Sequence, residues 1–140
     1  MKPIKIFSKG KIIEKGLYNK VKNLDKVVFY GCGNEFLSNR EWWVILDNKQ
    51  IIAYCGSIYR ENICIFNRAW VKTEYRGLGL QKILINLRLK EAKGNDVAIT
   101  YTTLDNYASA NNLIDCGFKL YNPEYGYAGR DKLYFKKSLI

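Results

Sequence analysis

The chain of 140 residues contains no histidine. A Ser-His or Cys-His nucleophile system cannot be built from it, so any acid or base must come from Glu, Asp, Tyr, Lys, Cys or water. The four cysteines, Cys32, Cys55, Cys64 and Cys116, are scattered and form no C-x-x-C pair. Together with the missing histidine, that spacing argues against a zinc site and a disulfide framework; no metal is expected, and the thiols are read as buried and reduced. No apolar run approaches the roughly 18 residues that span a bilayer. The opening "MKPIKIFSKGK" lacks the apolar core of a signal peptide, so a cytoplasmic protein without a membrane partner is expected. Acids are also scarce, 13 against 23 basic side chains, and the net charge of +10 favours anionic partners. Nucleic acid, a phosphorylated cofactor and an acidic protein all satisfy that charge. Eight of the lysines fall in residues 1–26, spaced singly among apolar residues as on a solvated face.

What is present is core material: 48% hydrophobic and 14% aromatic residues in a length that suits one domain over residues 1–140. "PIKIFS" alternates as a strand. "KIIEKGLYNKVKNLDKVVFYG" places Ile13, Leu17, Val21 and Leu24 at helical spacing and predicts one or two helices. "GCGNEFLSNR" reads as a loop. "EWWVIL", "IIAYCGSIYR" and "ICIFNRAWV" are rich in β-branched and aromatic residues and read as an antiparallel meander, with Glu61-Asn62 suited to a tight hairpin and Trp42 and Trp43 on opposite faces.

Beyond the meander, Leu80, Ile83, Leu84 and Leu87 recur at i, i+3, i+4, i+7, with Lys82, Arg88, Lys90 and Lys93 as exposed positions and Gly94 as the C′ glycine. "DVAITYTT" predicts a strand, and "DNYASANNLIDCGF" a helix capped by Asp105 and closed by Gly117. "FKLY" and "KLYFKK" end the chain as strands around the loop "NPEYGYAGRD". The expected fold class is α/β, in the sense of a mixed sheet with antiparallel and parallel pairings packed against helices.

The junction "YRGLGLQKIL" stands out. A helix N-terminus presents free N–H groups and about half a positive charge to an anion. Gly77 and Gly79 remove the Cβ atoms that would hold a ligand away, Arg76 adds a planar fork of donors and Lys82 a further cation. The spacing matches neither G-x-G-x-x-G/A nor a P-loop. On its own, R-G-x-G at a strand-to-helix junction is equally an ordinary turn.

The context of that junction resembles the GNAT superfamily of acyl-CoA-dependent N-acetyltransferases over about residues 42 to 137. In the family's pyrophosphate motif Q/R-x-x-G-x-G/A, Arg76 and Gly79 keep the pattern and Gln81 departs from it. In N-x-x-A-x-x-x-Y-x-x-x-G-F, Asn106, Gly117 and Phe118 are in register, with Ser109 at the alanine and Leu113 at the tyrosine. The resemblance implies a sheet of about six to seven strands flanked by helices. It implies acetyl-CoA in the cleft where the fourth and fifth strands part, its pyrophosphate on the N–H groups of Leu78, Gly79, Leu80, Gln81 and Lys82. Backbone groups of Trp70 and Val71 would pair with the pantetheine arm, and Asn106 would contact the pantetheine or the phosphates. A primary amine would attack the thioester directly in a ternary complex, with the N–H near Val71 polarising the carbonyl.

The family's usual acid is the helix tyrosine, and that position holds Leu113. Tyr121 and Tyr101 are the leading substitutes, ahead of Tyr107, Tyr125 and Tyr127, and each also reads as a packing residue. The acceptor is open: the basic surface accommodates an anionic macromolecule, and few acids are present to hold a polyamine. A monomer or a homodimer fits. The alternative is a non-catalytic module of the same fold that binds CoA or nucleic acid.

Overall fold

In the computed structural model, residues 2–30 and 40–140 are described. The elements run β1 (Ile4–Ser8), β2 (Lys11–Ile12), α1 (Lys15–Val28), β3 (Arg40–Asp47), β4 (Gln50–Arg60), β5 (Ile63–Val71), a 3₁₀ turn (Thr73–Tyr75), α2 (Leu80–Glu91), β6 (Val97–Thr103), α3 (Tyr107–Asp115), β7 (Lys119–Tyr121) and β8 (Lys132–Ser138). The strands form one eight-stranded sheet in the order β2-β1-β3-β4-β5-β6-β8-β7. Among the strands of the described residues, β5 and β6 are the one parallel pair. The expected mixed α/β architecture is present, with one strand more than the upper expectation, because the two-residue β2 folds back on β1.

The meander follows from its turns. Glu61 and Asn62 have φ of +48° and +68°, and Asn48 and Lys49 +48° and +67°. Two successive positive φ values are the signature of the type I′ turn, whose twist suits a two-residue hairpin. Pleating then sends Trp42 to one face and Trp43 to the other, and both are buried. On one face, Tyr18 and Val21 of α1 pack on Ile6, Trp42, Val44 and Tyr54. On the other, Leu80, Leu84 and Ile85 of α2 and Ala110 and Leu113 of α3 cover Trp43, Ile45, Phe66 and Phe135.

Several local readings are corrected. α1 is one helix that begins at Lys15, so Ile13 lies outside it, and the carboxylate of Glu14 caps it by accepting from the N–H groups of Gly16 and Leu17 at 2.9 Å each. Asn106, not Asp105, caps α3, because its Oδ1 reaches the Ser109 N–H at 3.2 Å while Asp105 accepts from the Thr103 hydroxyl. α2 ends at Glu91 with Ala92 as its C-cap, so Gly94, at φ +102°, falls one residue beyond the C′ position. α3 closes as expected: Gly117 adopts φ +95°, its N–H donates to Ile114 O, and the Phe118 N–H donates to Leu113 O at 3.0 Å. That is a Schellman motif, which glycine adopts without a Cβ penalty.

Arg88 is the largest departure. Expected on the exposed face of α2, it is 2% exposed. Its guanidinium donates to the carbonyls of Leu84 and Gly56 at 3.2 Å each and lies 4.4 Å from the Phe66 ring centroid. The loop expected at 31–40, apart from Arg40 at the start of β3, lies outside the described residues, as does Cys32.

Candidate active site

β5 and β6 pair from Ile63–Val97 to Ile65–Ile99 and then part. The Thr100 hydroxyl reaches across to Phe66 O at 2.9 Å just past the last pair. Beyond it, Asn67 Oδ1 on β5 and Thr102 Oγ1 on β6 are buried without a partner among the described residues. Buried polar atoms are nearly always hydrogen-bonded, so these two have capacity left for a water or a polar ligand.

A cavity of about 560 Å³ opens along β5 beyond this gap, between the N-termini of α2 and α3. All ten residues assigned from sequence to the cofactor, Trp70, Val71, Arg76 through Lys82, and Asn106, line it. The N-terminus of α2 faces it without a side-chain cap, whereas Glu14 caps α1 and Asn106 caps α3. The first helical hydrogen bond runs from the Ile83 N–H to Gly79 O at 3.1 Å, leaving the N–H groups of Leu80, Gln81 and Lys82 without helical partners. Gly77 and Gly79 hold φ of +79° and +82°, and a Cβ built at either meets no atom within 4 Å. The turn therefore keeps open a space that larger residues would fill. No acid sits in the first turn of α2 to compete for an anion.

The side chains around the cradle are partly committed. Arg76 Nε donates to Val71 O at 3.0 Å. The Lys72 N–H donates to Ile52 O on β4, and alternation along the strand turns the Val71 peptide to the other side, toward the gap. The Trp70 peptide, opposite Tyr54, faces β4, and its indole lies tilted against the Tyr54 ring at 5.7 Å. Val71 is thus the residue of the two whose N–H is offered to a ligand strand. Lys82 is bound to Asp115 at 2.9 Å, and that hydrogen bond holds its ammonium above the usual lysine range.

Gln81 and Ser109, the two departures from the family motifs around the cavity, meet each other. Gln81 Nε2 donates to Ser109 Oγ at 3.0 Å and Asn112 Nδ2 donates to Gln81 Oε1 at 2.7 Å, so the pair bridges α2 and α3. Asn112 was not foreseen from sequence; its only signal is its place one turn after Ser109 on the same helix face.

The tyrosines read as candidate acids, Tyr101 and Tyr121, lie elsewhere with Tyr127 and Tyr134. Tyr101 and Tyr134 face each other across β6 and β8, Tyr127 packs on both, and Tyr121 stands edge-on to Tyr134 at 6.4 Å. None of them lines the cavity. Tyr101 is on β6 two residues past its last pair with β5, and it is 36% exposed; Tyr121 is on the outermost strand, its ring under Lys136. Burial raises the hydroxyls of Tyr121 and Tyr127. Leu113 is 5% exposed and packs in the core with Phe118.

On the α1 face, Asp25 is 3% exposed and accepts from the Tyr54 hydroxyl at 2.8 Å and from Arg68 Nε at 3.3 Å. Sequence reading missed this cluster, although Asp25 stands four residues after Val21, in the apolar stripe. Arg68 has φ +42°, a conformation that costs about 1–3 kcal/mol for a residue with a Cβ.

The thiols of Cys55 and Cys64 are buried, and burial pushes each up to about 11. At pH 8 each stays in the thiol form. Titration of the native protein with an aromatic disulfide at pH 8 is therefore expected to leave both unmodified until denaturant is added. Rapid labelling of either in the folded state would contradict their burial.

A sheet that parts beside a helix N-terminus with no side-chain cap makes a cleft suited to an anionic ligand. The chain belongs to the GNAT acetyltransferase family, whose model matches residues 16–118. No curated protein sequence matches the chain significantly. Among solved structures it is similar to an aminoglycoside 6′-acetyltransferase type Ii, at 17% identity and TM-score 0.77 over 100% of this chain and 98% of that one. It is similar to an acetyltransferase of the GNAT family from Staphylococcus aureus, at 14% identity and TM-score 0.74 over 99% and 100%. It is also similar to the N-acetyltransferase PseH from Campylobacter jejuni in complex with acetyl coenzyme A, at 17% identity and TM-score 0.59 over 89% and 80%. Acyl transfer is the class of reaction that family membership supports. Among the described residues, no helix is long and apolar enough to cross a membrane.

Proposed function

We propose that the chain is an N-acetyltransferase that moves an acetyl group from acetyl-CoA to a primary amine by direct attack within a ternary complex. The uncapped N-terminus of α2, opening on a cavity that two glycines keep clear, carries the reading. The residues fit the cosubstrate: the N–H groups of Leu78 to Lys82 and the Arg76 fork would hold the pyrophosphate, and the Val71 peptide would pair with the pantetheine arm. Asn106 spends its Oδ1 on the α3 cap, leaving its amide nitrogen for the ligand. Acetyl-CoA supplies an activated thioester.

Direct transfer is supported by the lining of the cavity, which among the described residues holds no cysteine and a single serine, Ser109. There is no histidine, Cys55 and Cys64 are buried with raised thiols, and the Ser109 hydroxyl accepts from Gln81. The enzyme then has to position the amine, polarise the carbonyl and return a proton to the leaving thiolate. We assign the carbonyl to the N–H at Val71 and the proton to Tyr101, with Tyr121 as its competitor. The acceptor we favour is an amine on an anionic macromolecule, in keeping with the net charge of +10.

Calorimetric titration with acetyl-CoA, followed by thiol release with a panel of amines, tests the reading. Micromolar binding and amine-dependent release support it; no binding at millimolar acetyl-CoA removes it. A second reading, a CoA-binding module without turnover, is favoured by the burial of Leu113 where the family acid would stand. It predicts binding with no thiol release for any amine.

A further inference from the structure

The register of β4 against β5 slips once, between Cys55–Ala69 and Gly56–Asn67, so Arg68 is the extra residue of a β-bulge. This bulge sits three residues beyond Ile65, the last residue of β5 paired with β6, at the start of the segment that lines the cavity. Arg68 holds φ +42° there without being glycine. A residue in that region persists when its surroundings over-determine it. The surroundings here come from α1. Arg68 Nε lies 3.3 Å from both carboxylate oxygens of Asp25, and its guanidinium lies 4.9 Å from the Phe29 ring centroid. Asp25 in turn accepts from Tyr54 of β4.

The position of Asp25 is informative on its own. It is in the last turns of α1, where a carboxylate meets the negative end of the helix dipole. Helix formation gives no reason for an acid there, and burial disfavours it unless a cation is paired with it. Its partner is the bulge.

We propose that Asp25 is a positioning residue that, through Arg68, pins the β5 bulge and so sets the Ala69–Val71 backbone against the pantetheine arm. The inference rests on the reading of the cavity as an acetyl-CoA site. The geometry separates two halves of that ligand: the phosphates would sit on the α2 turn, which the pin does not touch, and the thioester arm on β5, which it does.

The test is a pair of dissociation constants, for acetyl-CoA and for its nucleotide half, 3′-phospho-ADP, in Asp25→Asn and Arg68→Gly. Asp25→Asn keeps an acceptor for Tyr54 and removes the charge from Arg68; Arg68→Gly removes the pin while allowing positive φ freely. Both should weaken acetyl-CoA about tenfold and leave 3′-phospho-ADP within about twofold. Arg68→Lys should recover part of the loss. Tyr54→Phe should lower the melting temperature without changing the ratio of the two constants. Equal loss for both ligands, no loss for either, or failure of both variants to fold would show a purely structural ion pair and overturn the proposal. Failure of the unchanged protein to bind acetyl-CoA would instead overturn the reading of the site, and the pin's role with it.

Discussion

Gly79→Val is expected to raise the dissociation constant for acetyl-CoA at least about 100-fold. Two effects act together. Gly79 stands at the N-cap position of α2 with φ +82°, where a β-branched residue is strained, and its absent Cβ leaves the cradle open. A branched side chain there would hold a phosphate off the N–H groups of Leu80 to Lys82. Charge-assisted hydrogen bonds are worth about 1.5–3 kcal/mol each, and 1.4 kcal/mol is tenfold in affinity, so losing one or two accounts for the effect. Arg76→Ala should cost less, about tenfold, because its guanidinium is at the exposed mouth. Gly94→Val is the control. It imposes similar strain at φ +102° with no atom within 4 Å of the new Cβ, but it is away from the cavity. Calorimetry on the three variants decides: equal loss in Gly94→Val would trace the effect to stability, and wild-type binding by Gly79→Val would leave the turn without a ligand.

The parts of this site that could be read in the sequence are those made by backbone. Gly77, Gly79, Glu61-Asn62 and Gly117 announce positive φ or tight turns through residue type, and each adopts that conformation. The strand alternation that separates Trp42 from Trp43 is likewise local. What could not be read is pairing at a distance. Gln81 meets Ser109 across 28 residues, and Asp25 meets Arg68 across 43, so neither partner has a pattern of its own. Arg88 misled for a related reason: charge predicts exposure, yet the carbonyls of Leu84 and Gly56 and the Phe66 face supply what water would. Asp105 and Asn106 differ for a narrower one. Both are good caps by type, and only the chain path decided which oxygen reached the Ser109 N–H.

Tyr101→Phe is expected to lower amine-dependent turnover by about 10–100-fold while leaving the KM for acetyl-CoA within about twofold. Tyr121→Phe should stay within about threefold of the unchanged protein. The distinction comes from strand order. Tyr101 is on β6, one of the two strands that part, whereas β8 separates β6 from the β7 strand that carries Tyr121. With neighbouring strands about 4.8 Å apart, Tyr121 starts roughly 10 Å farther from the gap. Tyr127 and Tyr134 pack against the Tyr101 ring and limit its movement, and the Tyr134 hydroxyl is already committed, donating to Gly129 O at 2.6 Å. Restoring tyrosine at the family position should not help. Leu113 is closed in among Ile85, Phe118 and Phe135, so Leu113→Tyr would overpack the core and bury a hydroxyl before it could reach the cleft. Steady-state thiol release on the two phenylalanine variants separates the candidates. A reversed order of losses would move the proton donor to the outer strand, and no loss in either would leave proton return to solvent and catalysis to positioning by the α2 turn and β5.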